Sequence, residues 1–197
     1  MKAVMLCCAV AVVAGCYGIE VPQSLPLVVA DWGATNAGLR ISISSVTTAT
    51  DRPDEREFSV AVENVGDSDV VVNLGFMISN GKVMFPEAVR LLLTDSRETT
   101  RELQYFDRRY PAIAGRVDDF IVALRIGSVY AIRVTLDRYW SPATKEFALK
   151  LARGRYRIEA RFDGQGARAL NLDTPGIGLL NFWKGTLRSN SLAFEIP

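Results

Sequence analysis

Hydrophobic residues recur at every second position through most of the chain after residue 38. The pattern is cleanest in residues 155–162, where Tyr156, Ile158 and Phe162 alternate with charged residues. A period of two buries one face of a β-strand and leaves the other in water, whereas a helix needs a period of about 3.6. The same alternation predicts strands at residues 39–43, 58–63, 70–78, 89–93, 120–124, 130–136 and 192–196.

Turn signals separate the predicted strands. Asn80-Gly81 predicts a tight type I′ hairpin, and further turns are predicted at residues 64–67 and at Gly127. The strands do not alternate with helices as they would in a parallel sheet. The sequence therefore predicts an all-β fold, an antiparallel β-sandwich.

Residues 141–154 fit two structures. Their Ser-Pro start and glycine end are typical of a helix, whereas Phe147, Leu149 and Leu151 alternate as in a strand. We favour the extended form because residues 151–156, LARGRY, resemble the tyrosine corner of Greek-key sandwiches. In such a corner the tyrosine hydroxyl donates a hydrogen bond to the backbone just before it.

Two stretches resemble bacterial Ig-like and fibronectin-III-like domains. FSVAVENVGDSDVVV, residues 58–72, is similar to their B and C strands, and ARGRYRIEARF with SNSLAFEI is similar to their last two strands. The resemblance implies an antiparallel Ig-like (Greek-key) β-sandwich over residues 38–197, with insertions near residues 79–118 and 164–185. Its motifs describe backbone corners, so it implies no catalytic residue, cofactor or metal site.

The N-terminus has the layout of a secretory signal. Lys2 precedes an apolar run, and that run is shorter than the roughly 20 residues that cross a bilayer. Residues 13–16, Val-Ala-Gly-Cys, resemble a bacterial lipobox, which implies a signal peptide over residues 1–15 and a lipid anchor on Cys16. The alternative is ordinary signal peptidase cleavage, for example after Gly18, which would remove Cys16.

Residues 16–37 are predicted to tether the domain to this anchor. They contain two prolines and no long periodic pattern, and Trp32 is expected to begin the packed part. Tyr17 follows the cysteine where inner-membrane retention usually calls for aspartate. The expected location is therefore the cell envelope, lipid-anchored in the outer membrane, or secretion.

Composition excludes several chemistries. The chain has no histidine, and its 3 cysteines all lie in the first 16 residues, so Ser-His-Asp and Cys-His catalysis and histidine metal sites are excluded. Lys and Arg number 23 against 22 Asp and Glu, and the two become equal when the leader is removed with Lys2. A neutral mature chain has no general attraction to nucleic acid.

Carboxylates could still act on their own. Asp118 with Asp119, or Asp51 with Asp54 and Glu55, could supply a glycosidase pair. Acidic residues in turns more often accept hydrogen bonds from the local backbone, which is the interpretation we favour.

Two further groups of polar residues are candidates for binding a ligand. Asp163, Asn171 and Asp173 gather oxygen ligands, but their spacing does not match an EF-hand, so an ordinary turn is expected rather than a calcium site. Outward arginines could bind an anionic glycan or an acidic partner; these are Arg97, Arg101, Arg108, Arg109, Arg155, Arg157 and Arg161. Interleaved acids, namely Glu98, Glu102, Asp107 and Glu159, are expected to pair with them instead.

The segment 164–185 is longer than a compact sandwich needs between two strands, and loops of this length are often functional. It contains Leu179, Leu180, Phe182 and Trp183, which make it too apolar for disorder. Two interpretations remain open: a partner-binding loop with an aromatic anchor, or a plug that covers the end of the core.

The predicted function is a non-catalytic Ig-like module, in the cell envelope or secreted, that binds a protein or a polysaccharide. The alternative is an envelope hydrolase or a protease inhibitor built on the same scaffold. The missing histidine and mature cysteine favour the binding module.

Overall fold

The computed structural model describes residues 31–46, 55–110, 115–145, 149 and 151–196. Strands dominate this part of the chain, and short 3₁₀ helices cover Leu136–Arg138, Ala169–Asn171 and Ile177–Leu179. The strands, in chain order, are β1 (Leu39–Ser45), β2 (Glu57–Asn64), β3 (Val70–Ile78), β4 (Val83–Phe85), β5 (Val89–Thr94), β6 (Thr100–Tyr105), β7 (Asp118–Leu124), β8 (Val129–Thr135), β9 (Tyr139–Trp140), β10 (Gly154–Gly164), β11 (Gly185–Arg188) and β12 (Leu192–Ile196).

These strands form antiparallel sheets that pack as a sandwich. One sheet has the order β1-β2-β8, and a second has the order β11-β10-β5-β6-β9, with β12 also paired to β10. A third, smaller sheet has the order β4-β3-β7. Phe58 on β2 meets Phe194 on β12 edge to face at 5.7 Å, so side chains of the first two sheets share one core. The predicted all-β antiparallel sandwich is confirmed.

The alternation that predicted β10 is seen in its burial. Tyr156, Ile158 and Phe162 are buried in the core, while Arg155 and Arg157 are exposed. Each large side chain buried in this way stabilises the fold by about 1.5–3 kcal/mol. A period of two is therefore enough to define both faces of this central strand.

The predicted tight turn after β3 is present. Asn80 and Gly81 both have positive φ, 55° and 81°, as a type I′ turn requires. The Lys82 N–H donates to the Ser79 carbonyl at 3.3 Å and closes the turn. The prediction from Asn-Gly is confirmed.

The tyrosine corner is also formed. The Tyr156 hydroxyl donates to the Ala152 carbonyl oxygen at 2.9 Å, four residues back along the chain. The strand that we expected before this corner depended in part on Phe147, which lies outside the described residues. Leu149 is buried, while Ser141 forms an isolated bridge followed by turns as far as Lys145.

Residues at the end of the predicted tether pack on the domain. The Gly33 N–H donates to the Ile41 carbonyl at 2.9 Å, and Asn36 pairs with Leu39. A Cβ at Gly33 would lie 1.8 Å from the Arg188 carbonyl oxygen, so only glycine allows this close approach. Trp32 packs as well, since the guanidinium carbon of Arg40 lies 4.7 Å from the centroid of its ring, so the packed part of the chain includes Trp32.

A β-bulge in β3 shapes the third sheet. Between Asn73 and Phe76 the register with β7 shifts, and Gly75 inside the bulge has φ of 147°. Because the bulge adds one residue to β3, it brings Phe76 opposite Asp119 of β7. Paired residues of neighbouring strands share a face, so the bulge sets an aromatic ring beside a buried carboxylate.

Candidate functional site

The four apolar residues of the predicted binding loop lie in different environments. Leu179 is 90% exposed and Leu180 is 40% exposed, whereas Trp183 is 5% exposed and belongs to the core. Phe182 is half-buried and forms an isolated parallel bridge with Val71. The structure therefore separates an exposed leucine pair from a buried tryptophan.

Trp183 plugs the core. Its indole stacks on Phe162 with centroids 5.7 Å apart, and its Nε1 donates to the Ala37 carbonyl at 3.0 Å. Its backbone N–H donates to the Val71 carbonyl at 2.8 Å. As an anchor for an external partner, Trp183 would have to leave all of these contacts, so the plug interpretation fits this residue.

A buried carboxylate holds the other end of the same loop. Asp119 accepts hydrogen bonds from the side-chain amides of Asn73 at 2.9 Å and Asn171 at 3.0 Å. The backbone N–H of Arg168 donates to both of its oxygens at 3.2 Å. Asp119 thus joins β7, β3 and the start of the loop, and its role is to position backbone.

The candidate glycosidase pairs are not assembled in the described residues. Asp118 and Asp119 are neighbours in β7, where successive side chains point to opposite faces. Asp118 pairs with Arg116 at 2.6 Å, away from the amides around Asp119. Asp51 and Asp54, which were predicted to act with Glu55, lie outside the described residues.

Two of the three candidate calcium ligands, Asp163 and Asn171, have other partners. Asp163 pairs with Arg161 at 3.1 Å and accepts the Thr186 hydroxyl at 2.9 Å. The amide of Asn171 is bonded to Asp119, as described above. Within the described residues no cluster of three or more acidic, histidine or cysteine side chains could hold a metal ion.

Ion pairs with the expected acids form at three of the seven outward arginines, Arg109, Arg157 and Arg161. Glu98 bonds Arg157, and Glu102 bonds Arg161 at 3.1 Å. Glu102 also accepts from Arg90 at 2.6 Å, so it bridges two arginines across the sheet. These ion pairs neutralise part of the positive charge on this face of the sandwich.

Arg168 connects the loop to the third sheet. Its guanidinium lies 4.9 Å from the centroid of the Phe76 ring, forms an ion pair with Glu87, and lies 3.8 Å from Asp119. Burial lowers the pKa of this guanidinium. A cavity of about 210 Å³ lies beside these groups and is lined also by residues 165–167, which directly follow β10.

A second cluster of aromatic residues continues from Phe76. Phe76 stacks on Phe85 at 4.5 Å, and Phe85 meets Tyr110 edge to face at 5.7 Å. Tyr105 also meets Phe85 edge to face, at 6.1 Å, and contacts the buried Tyr139 at 5.4 Å. The rings come from β3, β4, β6, β9 and the turn after β6, so the fold assembles them from separate strands.

This cluster borders two adjoining cavities, which we call together the aromatic cleft. The narrower cavity, about 350 Å³, is lined by Phe76, Phe85, Glu87, Tyr105, Phe106, Asp107 and Tyr110. The wider cavity, about 500 Å³, is lined by Lys82, Val83, Met84, Pro86, Tyr105, Asp107, Arg109, Tyr110, Phe120, Tyr130, Ala131, Ile132, Arg133 and Arg138. Both volumes fall in the range of about 300–1,000 Å³ that is usual for ligand sites.

Asp107 lies at the junction of the two cavities. Its carboxylate accepts from the Arg109 side chain, with Nε 2.9 Å from one oxygen and 3.1 Å from the other, and from the Arg109 backbone N–H at 3.1 Å. Arg138 lies 3.9 Å from it. Hydrogen bonds from Arg109 hold the pKa of the Asp107 carboxyl below its usual value, although burial opposes this effect. Asp107 is therefore an ionised carboxylate that orients guanidinium groups.

Tyr105 and Tyr139 keep their protons at neutral pH. Burial raises the pKa of the Tyr105 phenol, and Arg138 acts in the opposite direction. Burial also raises the pKa of the Tyr139 phenol, whose hydroxyl donates to the Val89 carbonyl at 3.3 Å. The cleft thus offers neutral aromatic faces next to charged guanidinium donors, an arrangement suited to binding.

The cleft was not predicted from the sequence. Tyr105, Tyr110 and Asp107 lie within one short stretch, YFDRRY, whose three aromatic rings were a signal that could have been noticed. Tyr130 and Arg138 come from a different part of the chain and meet the stretch only through the fold.

The known proteins that were compared with this chain resemble it only weakly. No family model matches the chain, and no curated protein matches it. Among solved structures, a structural genomics target aligns with a TM-score of 0.36 and 7% identity, covering 83% of this chain and 91% of that chain. A Bordetella pertussis protein named for ApaA aligns with a TM-score of 0.35 and 13% identity, covering 81% of this chain and 94% of that chain. Likenesses at this level do not identify a function.

Among the described residues, no helix is long and apolar enough to cross a membrane.

Proposed function

We propose that this protein is a non-catalytic, exported module of the cell envelope that binds a polysaccharide in the aromatic cleft. Export rests on the signal-like leader, and the envelope location rests on the lipobox-like sequence that ends at Cys16. Both features belong to the sequence, and their test is separate from that of the cleft.

The observation that carries the binding proposal is the composition of the cleft. Rings of Tyr105, Tyr110 and Tyr130 line it together with Asp107 and Arg138. Tyrosine presents an apolar ring and a polar hydroxyl, and a pyranose presents an apolar C–H face and polar hydroxyls. The two surfaces are therefore complementary, and charged side chains add strong hydrogen bonds to the sugar hydroxyls.

The Ig-like assignment is part of the proposal and has its own support. The strand order β1-β2-β8 faces the order β12-β10-β5-β6, and a tyrosine corner opens β10. Both features are typical of Ig-like sandwiches with Greek-key connections. On this view the sheet β4-β3-β7 is added to the basic sandwich, and its Phe76 and Phe85 form one wall of the cleft.

The hydrogen bonds of two buried carboxylates support the non-catalytic part of the proposal. Asp119 is occupied by amides and backbone, and Asp107 is occupied by Arg109. Hydrolysis of a glycosidic bond needs two carboxyl groups that flank it, one of them able to donate a proton. A lowered pKa at Asp107 is opposite to what a general acid requires.

Retention on immobilised envelope polysaccharide tests the proposal. We expect the mature domain to be retarded in affinity electrophoresis through gels that contain the polysaccharide, and Tyr110→Ala to lose most of the retardation because it removes a cleft wall. Leu179→Ala is the matched control, since it deletes an exposed side chain outside the cleft. Loss of retardation in Leu179→Ala with none in Tyr110→Ala would move the binding site to the loop and reject the cleft.

A further inference from the structure

The wider part of the aromatic cleft has an excess of positive charge. Its lining includes Lys82, Arg109, Arg133 and Arg138, and Asp107 is the single carboxylate among the described residues that line it. The whole chain has nearly equal numbers of basic and acidic residues, 23 against 22, so this excess is local. A cleft lined by one sign of charge concentrates ligands of the opposite sign.

Asp107 does not offer its charge to a ligand. Its oxygens already accept from the Nε and the backbone N–H of Arg109, and Arg138 lies nearby. A guanidinium has five N–H donors, and one carboxylate uses only part of them. The carboxylate therefore fixes the orientation of Arg109, whose side chain is 63% exposed.

Arg133 adds a second exposed guanidinium. It lies on β8, which is the last strand in the order β1-β2-β8, and its side chain is 71% exposed. Its contact with Glu57 is long, at 3.6 Å, and although the Glu57 side chain is only 17% exposed, the guanidinium end of the pair is open to water, which weakens the contact. A ligand carboxylate can therefore replace Glu57 as the partner of Arg133 with little loss of stability.

Resting on the proposed function, we propose that the polysaccharide is acidic and contains hexuronate units. Their carboxylates pair with Arg109, Arg133 and Arg138, because a guanidinium matches a carboxylate with two parallel hydrogen bonds. Their pyranose faces stack on Tyr105 and Tyr110. Neutral sugars could stack on the same rings, but they carry no negative charge to pair with the excess of basic side chains.

Calorimetry with an oligogalacturonate and its fully methyl-esterified form tests the inference. The two ligands share rings, hydroxyls and linkages, and differ in one charge per unit. We expect the acid form to bind at least about tenfold more tightly than the ester at low salt. Raising the salt concentration is expected to reduce the difference in affinity between the acid and the ester, because salt screens ion pairs at an open cleft.

Paired variants locate the charge preference. Arg133→Gln combined with Arg138→Gln is expected to lose a large part of the preference for the acid form, because only Lys82 and Arg109 remain of the basic side chains that line the cleft. A thermal melt shows whether the double variant is folded. Arg125→Gln, in the exposed turn between β7 and β8, removes one positive charge outside the cleft and is expected to keep the preference for the acid form.

Three results would overturn the inference. Equal binding of acid and ester, with both lost in Tyr110→Ala, would leave a polysaccharide site for neutral sugars and so retain the proposed function. Binding of a tetraglutamate peptide as tight as that of the oligogalacturonate, with the same arginine dependence, would identify an acidic protein as the partner. Absence of binding to either oligosaccharide would reject hexuronates, and the gel retardation of the wild type would then decide the proposed function.

Discussion

Trp183 ties the segment of residues 164–185 to the core through its ring, its indole nitrogen and its backbone. Two glycines make room for the ring. A Cβ at Gly164 would lie 2.3 Å from it and a Cβ at Gly185 would lie 2.9 Å from it. These residues explain why a long segment with several apolar side chains stays on the domain.

Trp183→Ala is expected to lower the free energy of unfolding by about 3–5 kcal/mol, because it opens a large cavity in the core. Leu179→Ala is expected to change it by less than about 0.5 kcal/mol, because this side chain is exposed. Denaturant unfolding of the two variants measures both values. Similar stabilities for the two variants would show that the indole does not pack as described.

At the scale of elements, the bulge in β3 determines where the third sheet places its side chains. At Gly75 a Cβ would lie 2.1 Å from the Phe85 carbonyl oxygen, and φ is 147°. Both the close approach and the backbone conformation require glycine. The bulge thus positions Phe76 between Arg168 and Phe85, the start of the aromatic cleft.

Gly75→Ala is therefore expected to cost about 3 kcal/mol of stability, from the clash and the unfavourable φ together. Gly178→Ala is the matched control, because a Cβ there meets nothing within 4 Å. Equilibrium unfolding monitored by near-ultraviolet circular dichroism reports stability and ring packing together. An unchanged Gly75→Ala spectrum and midpoint would contradict the bulge.

Strands with a clear buried face could be predicted, and others could not. β10 was predicted because its core residues alternate without interruption, whereas β6 buries only Leu103 among charged neighbours and β9 has only two residues. The cleft escaped prediction for a related reason. Tyr105 and Arg138 are far apart in sequence, and no local spacing records that β6 and β9 are paired.

At the scale of the whole molecule, the proposed envelope location depends on Cys16. In a bacterial host with lipoprotein processing, labelled palmitate is expected to enter the wild type and to be absent from Cys16→Ala. Cys8→Ala is the matched control, since it removes a cysteine of the leader and is expected to keep the label. Label in Cys16→Ala, or its loss in Cys8→Ala, would exclude the lipobox assignment.

On the proposed function, the aromatic cleft contacts the polysaccharide and the loop of residues 164–185 does not. Hydroxyl-radical footprinting with and without bound polysaccharide tests it most directly, because Met84 in the cleft is 48% exposed and Leu179 in the loop is 90% exposed. Both side chains are open to oxidation in the free protein. We predict that the polysaccharide protects Met84 and Tyr110 and leaves the labelling of Leu179 unchanged. Protection of Leu179 and Leu180 with no change at Met84 and Tyr110 would contradict the account.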